Sequence, residues 1–103
     1  MENKIQFTAK AKKDLEESVN FYEDRKLGLG KNFLNTIKEK TLEIKSQPEK
    51  NPSSEDGVKK TKVKKFPFYI YYIFKSPLVI IIAIWHVARL PFSRKERIKD
   101  INE

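Results

Sequence analysis

Two neighbouring stretches leave this chain little freedom. Phe68 to Phe74 is almost entirely aromatic or β-branched, and Leu78 to Val87 is apolar apart from His86. Lys75-Ser76-Pro77 separates them as a turn. The run from Leu78 to Trp85 is far below the roughly 18 residues that span a bilayer, so it reads as a buried strand. Apolar character on both faces belongs to central strands covered from two sides. An aromatic face left open invites aggregation. Any fold of this chain must therefore place material on each face of the hairpin.

The first half supplies one cover. Lys4 to Phe7 alternates as a short strand, and Thr8 is placed to cap a helix. Ala11, Leu15, Val19 and Tyr22 recur at helical spacing, and that helix should fray near Arg25 and Lys26. Gly28 and Gly30 allow a sharp reversal. A second helix carries Phe33, Ile37, Thr41 and Ile44 on one stripe and stops before Pro48. Gln47 to Gly57 reads as a loop, expected to be mobile. Val58 to Lys65 is a lysine-rich strand. Ser93 caps a last helix over residues 94–101, with Ile98 and Ile101 on one side. The order is β-α-α-β-β-β with a short C-terminal helix, an α+β class with a helix hairpin on a small antiparallel sheet. The other face falls to the C-terminal segment, a partner, or both.

The 103 residues fit one domain, 1–103. Absence of cysteine excludes disulfides and thiolate chemistry, and a single histidine excludes a histidine-rich metal site. No cofactor or metal is expected. The N-terminus is expected to carry no targeting segment and the protein to be cytoplasmic, with no membrane partner. The net charge of +8 divides into +2 over residues 1–50 and +6 over 51–103. Such a domain attracts polyanions, and charge alone does not choose among nucleic acid, acidic protein and lipid.

Ala11, Asp14-Leu15, Phe21-Tyr22-Glu23, Gly28-Leu29-Gly30, Phe33-Leu34 and Ile44 ahead of Pro48 follow one another as in a known family. So do Gly57-Val58, Phe66-Pro67-Phe68, Ile70-Tyr71-Tyr72, Ile82-Ala83-Ile84, His86, Arg89 and Pro91. Over nearly its whole length the chain resembles the RelE/ParE toxins of type II toxin–antitoxin systems, closer to the ParE-type, plasmid-stabilisation branch. That resemblance implies a growth-inhibiting toxin with a cognate antitoxin. Its target is then DNA gyrase, inhibited by binding, or the ribosome and its messenger RNA, cleaved without a metal. The resemblance also implies a homodimer or a hetero-oligomer with the antitoxin, and a non-toxic nucleic-acid-binding member is a third reading. RelE-type nucleases resemble a cluster of cations with a tyrosine or histidine near the C-terminus. Here neither follows Val87, which favours the ParE-like reading.

If the chain were a nuclease, Lys62, Lys64, His86 and Arg89 would be its candidates. His86 is either a general base, a role suited to imidazole, or, more simply, a strand-end histidine bonding a neighbouring backbone group. Arg89 either contacts phosphate or a carboxylate, or holds the strand exit or the antitoxin. Lys60, Lys62 and Lys64 share one side of a strand. They receive a partner or guard an edge against aggregation. Phe68, Ile70, Tyr72 and Phe74 form the core face, whereas Tyr69 and Tyr71 look toward a partner. Trp85 is assigned to the core with Ile81 and Ala83. The expected partner-binding set is Lys60, Lys62, Lys64, Tyr69, Tyr71, Arg89 and Arg94. Asp14, Glu16, Glu17, Glu23 and Asp24 read as a solvated charged face.

Overall fold

Each helix begins where a side chain satisfies its free N–H groups. A computed structural model describes residues 2–102. Strand β1 (Lys4–Phe7) leads into helix α1 (Ala9–Arg25). Thr8 Oγ1 accepts from Ala11 N at its start, and Thr8 N donates to Ile81 O, stitching the cap to the sheet. Helix α2 (Leu29–Ser46) follows after Gly28, whose φ is +88°. Its first donors are met from the preceding helix. The Glu23 carboxylate accepts from Gly28 N at 2.8 Å and Gly30 N at 2.9 Å, a favourable place for negative charge. Glu23 is thus a cap, not part of a solvated face.

The two glycines do different work. Gly28 takes the left-handed turn. Gly30 is helical and buried, and a Cβ there would lie 2.5 Å from Val19 O. The hairpin closes at this contact. The buried stripe then runs through Phe33, Ile37, Thr41 and Ile44.

Three strands complete the sheet: β2 (Lys59–Lys62), β3 (Phe68–Lys75) and β4 (Leu78–His86). The strand order is β1-β4-β3-β2. The sheet is mixed, not antiparallel throughout, because β1 runs parallel to β4. Only β2-β3 and β3-β4 are joined by the short connections that force antiparallel pairing. Both helices intervene between β1 and β4, and such a crossover returns the chain in the same direction. The intervening loop is fastened down where mobility was expected: Asn51 Nδ2 donates to the Tyr72 hydroxyl, which donates to Pro48 O.

Two expectations about faces and ends change. Tyr71 pairs with Ala83, but Tyr72 pairs with Ile81, so Ile82 is an extra residue in β4. This bulge reverses the alternation. Val79, Ile81 and Ile84 pack under the helices with Phe68, Ile70 and Tyr72. Trp85 does not share the face of Ile81; it lies on the opposite side, buried against Phe92. Strand β2 is also shorter than expected. Val63 N donates to Phe68 O, and the chain then turns through Lys65 at φ +70°. Lys64 is therefore in the turn, and the row on the strand is Lys60 and Lys62.

A last short helix, α3 (Arg94–Lys99), is capped by Ser93 Oγ accepting from Glu96 N. It lies on the second face, where Ile98 and Ile101 pack with Val58, Ile73, Ile80 and Ile82. What holds it is a buried ion pair. Strand β1 pairs only with Leu78 to Ile81, leaving the rest of the β4 edge without a neighbouring strand. There Ile84 N donates to Asp14 Oδ2, and Ile82 O accepts from Arg97 Nη1. The two side chains meet at 2.6 Å and 3.3 Å. Asp14 is thus a buried brace, correcting its assignment to a solvated face.

Removing one partner of a buried pair leaves an uncompensated charge, so Asp14→Ala should cost about 3–5 kcal/mol in urea unfolding. The double substitution Asp14→Leu with Arg97→Met should recover much of that loss. Gly30→Ala should destabilise by about 1–3 kcal/mol, since the obstructing atom is backbone; unchanged thermal unfolding would contradict the close approach.

Candidate partner interface

Helix α3 covers only part of the second face. Beyond it, β3 presents Tyr69 and Tyr71 and β4 presents Trp85. Lys60 and Lys62 stand opposite the tyrosines on β2. Phe92, on the way to α3, closes one side with its ring edge-on to Tyr71 at 4.8 Å and to Trp85 at 5.0 Å. The Trp85 indole N–H donates to Leu90 O, which fixes the exit from β4. What remains is a groove of about 300 Å³.

Cations lie over this aromatic floor. Arg89 Cζ is 3.9 Å from the Trp85 ring centre, Lys60 Nζ 4.7 Å from Tyr69 and Arg94 Cζ 5.5 Å from Tyr71. The attraction of a cation for a ring face holds each charge in place without neutralising it. Arg94 also reaches Asp56 at 3.4 Å and Ser54 at 3.3 Å, both at the surface. Arg89 and Lys60 form no ion pair among the described residues.

A second depression of about 380 Å³ lies across the turn that follows β4. Phe21, Phe68 and Ala88 give it an apolar floor, with Glu17 and Ser18 on its helical side. His86 and Arg89 line both hollows. The His86 ring meets Phe68 edge-on, and its Nδ1 accepts from Ala88 N at 3.0 Å. Val87 and Leu90 are exposed on the same turn.

Of the residues singled out from sequence, the fold gathers Lys60, Tyr69, Tyr71, Arg89 and Arg94 around one groove, and His86 borders it. Lys62 is on the same strand face but lines neither hollow. Lys64 is separated from the row by the turn. Phe92, Phe21 and the Asp14–Arg97 brace were missed. An aromatic residue next to Pro91 was a usable signal for Phe92; no local pattern announces the brace. Among the described residues no cluster of three or more histidine, cysteine or acidic side chains could hold a metal, and no helix is long and apolar enough to cross a membrane.

Comparison with known families matches residues 5–91 to the model described as the ParE toxin of the type II toxin–antitoxin system parDE. Among solved structures, the chain is similar to one from P. aeruginosa, described as its chromosomal ParDE TA system. The TM-score is 0.68 at 22% identity, over 82% of this chain and 96% of that one. At that identity the likeness speaks for the fold. Curated proteins give no match.

Phe92→Ala should open the groove wall. Two edge-on ring contacts at about 0.5–1.5 kcal/mol each predict a loss of about 1–3 kcal/mol. Trp85 emission should shift to the red as water reaches the ring; an unshifted spectrum would argue against Phe92 as its cover.

Proposed function

The chain belongs to the ParE toxin family of type II toxin–antitoxin systems, and on that premise we propose that it arrests growth by binding DNA gyrase without catalysing a reaction. A cognate antitoxin silences it by covering the surface built from Lys60, Lys62, Tyr69, Tyr71, Arg89 and Arg94. The supporting observation is the groove itself: an aromatic floor left partly open, with three cations over it.

The antitoxin segment suited to that surface is extended, acidic and apolar, folding as it binds. Its carboxylates meet the groove cations, and its apolar side chains find Phe21, Phe68 and Ala88 across the turn.

Two features support binding over RNA cleavage. His86 Nδ1 is engaged as an acceptor, so the neutral ring carries its proton on Nε2 and has no free lone pair to act as a base. Nor does a tyrosine or histidine follow Val87, where the RelE-type nucleases carry one.

Purified toxin should inhibit gyrase supercoiling, and the antitoxin encoded beside it should reverse the effect. Arg89→Ala with Arg94→Ala should weaken inhibition about tenfold or more, as loss of arginine anchors does at an interface. Supercoiling unaffected at high micromolar toxin would remove gyrase as the target. Message cleavage in a translating extract that vanishes with His86→Ala would replace binding by catalysis. Unimpaired growth on induction would leave a family member without toxicity.

A further inference from the structure

The two hollows beside His86 differ in chemistry. In the larger one, the polar rim includes Glu17 and the floor is Phe21, Phe68 and Ala88. That floor suits an apolar side chain, and the Asp14 and Glu17 carboxylates in the lining are set against Arg89. The groove over Tyr69, Tyr71 and Trp85 has no carboxylate in its lining, and its aliphatic residues are Val87 and Pro91. Rings and cations make up nearly all the rest.

We propose that this groove binds single-stranded nucleic acid, with phosphates at Lys60, Arg89 and Arg94 and bases against Tyr69 and Tyr71. The site rests on the reading that this surface is left open for a macromolecule, but it does not depend on gyrase being the target.

The stacking geometry supports this. A guanidinium lying flat on a ring keeps its N–H edge free, and that edge forks onto a phosphate. Arg89 Cζ lies 3.9 Å from the Trp85 ring centre, with no ion-pair partner among the described residues. Arg94 exchanges a surface contact with Asp56 for a phosphate, and exposed pairs of that kind contribute little. Lys60 reaches its ring through a flexible stem and swings off Tyr69 when a base approaches. Tyr69 and Tyr71 are half-buried, 6.1 Å apart between ring centres, and belong to one strand. Rings set beside a cationic track are how single strands are held without reading their sequence.

A duplex keeps its base faces stacked inside and offers the groove phosphates alone. An acidic peptide offers charges on flexible stems but no flat faces to use the tyrosines. The single strand supplies both charge and flat faces at every repeat, and it would compete with the antitoxin segment for the same cations.

The full chain should be titrated against a fluorescein-labelled oligothymidylate of about fifteen nucleotides, within the span such platforms cover, and against a duplex of equal length. Anisotropy should show the single strand binding more tightly. Trp85 emission should change as a phosphate settles on Arg89 above its ring. Arg89→Ala with Arg94→Ala should weaken binding about tenfold or more, while Lys31→Ala with Lys38→Ala on α2, an equal loss of charge, should change it about twofold at most. Tyr69→Leu keeps an apolar side chain and should still weaken binding about fivefold or more, the loss of one stacked base. Melting temperatures confirm that each variant is folded.

Equal weakening by the two double variants would reduce the effect to general charge and overturn the site. So would a duplex bound as tightly as the single strand. A polyglutamate peptide bound more tightly than the oligonucleotide, with the same arginine dependence, would reassign the groove to acidic protein. Inhibited gyrase with no oligonucleotide binding sinks this site alone. Oligonucleotide binding with gyrase untouched sinks the target alone.

Discussion

A strand needs a neighbour for every backbone group it buries. Strand β4 has nine residues, and β1 pairs with only four of them. Past that point the ladder would end in unpaired peptide groups inside the protein, each costing about 1–3 kcal/mol. Asp14 and Arg97 take the place of the missing strand. One accepts from Ile84 N, the other donates to Ile82 O, and each neutralises the other. The carboxylate comes from α1 and the guanidinium from α3, so both faces of the sheet are tied through its edge. A buried pair is weak evidence for stability as such. Its value here is positional, because it fixes where α3 lies.

The groove follows from that placement. With Arg97 held, its guanidinium lies against Trp85 and Phe92 at about 5 Å. Phe92 is then the wall of the hollow, and Arg94 is set over Tyr71. The bulge at Ile82 makes a second contribution. By reversing the alternation it puts Trp85 on the open face instead of under the helices, under Arg89. The aromatic floor is thus made from residues that binary patterning alone would have divided differently.

What could be read from the chain follows the range of each interaction. The helices were legible because their caps and stripes are local: Thr8, Ser93, and the Phe33, Ile37, Ile44 row. The core face of β3 was legible because no irregularity interrupts it. The brace was hidden because its partners are 83 residues apart and each looks like an ordinary surface charge. The bulge was hidden because counting by twos cannot register an extra residue. Lys64 was misplaced for a related reason: lysine spacing says nothing of where a strand ends, which the Val63–Phe68 bond and the turn at Lys65 decide. The parallel pairing of β1 escaped a rule that applies only to strands joined by short turns. For the groove, the composition of β2 and β3 pointed to Lys60, Tyr69 and Tyr71, but only the fold could bring Arg89 and Arg94 beside them.

The bulge also sets what kind of change this strand can absorb. Exchanging one apolar side chain for another in β4 alters packing at a single point. Deleting Ile82 would heal the ladder and leave Ala83, Ile84 and Trp85 opposite Tyr71, Ile70 and Tyr69, each on its present face, whereas a deletion elsewhere in the strand would slip the register. Drift among homologous toxins should therefore tolerate the loss of one residue at the bulge and not at other points of the strand.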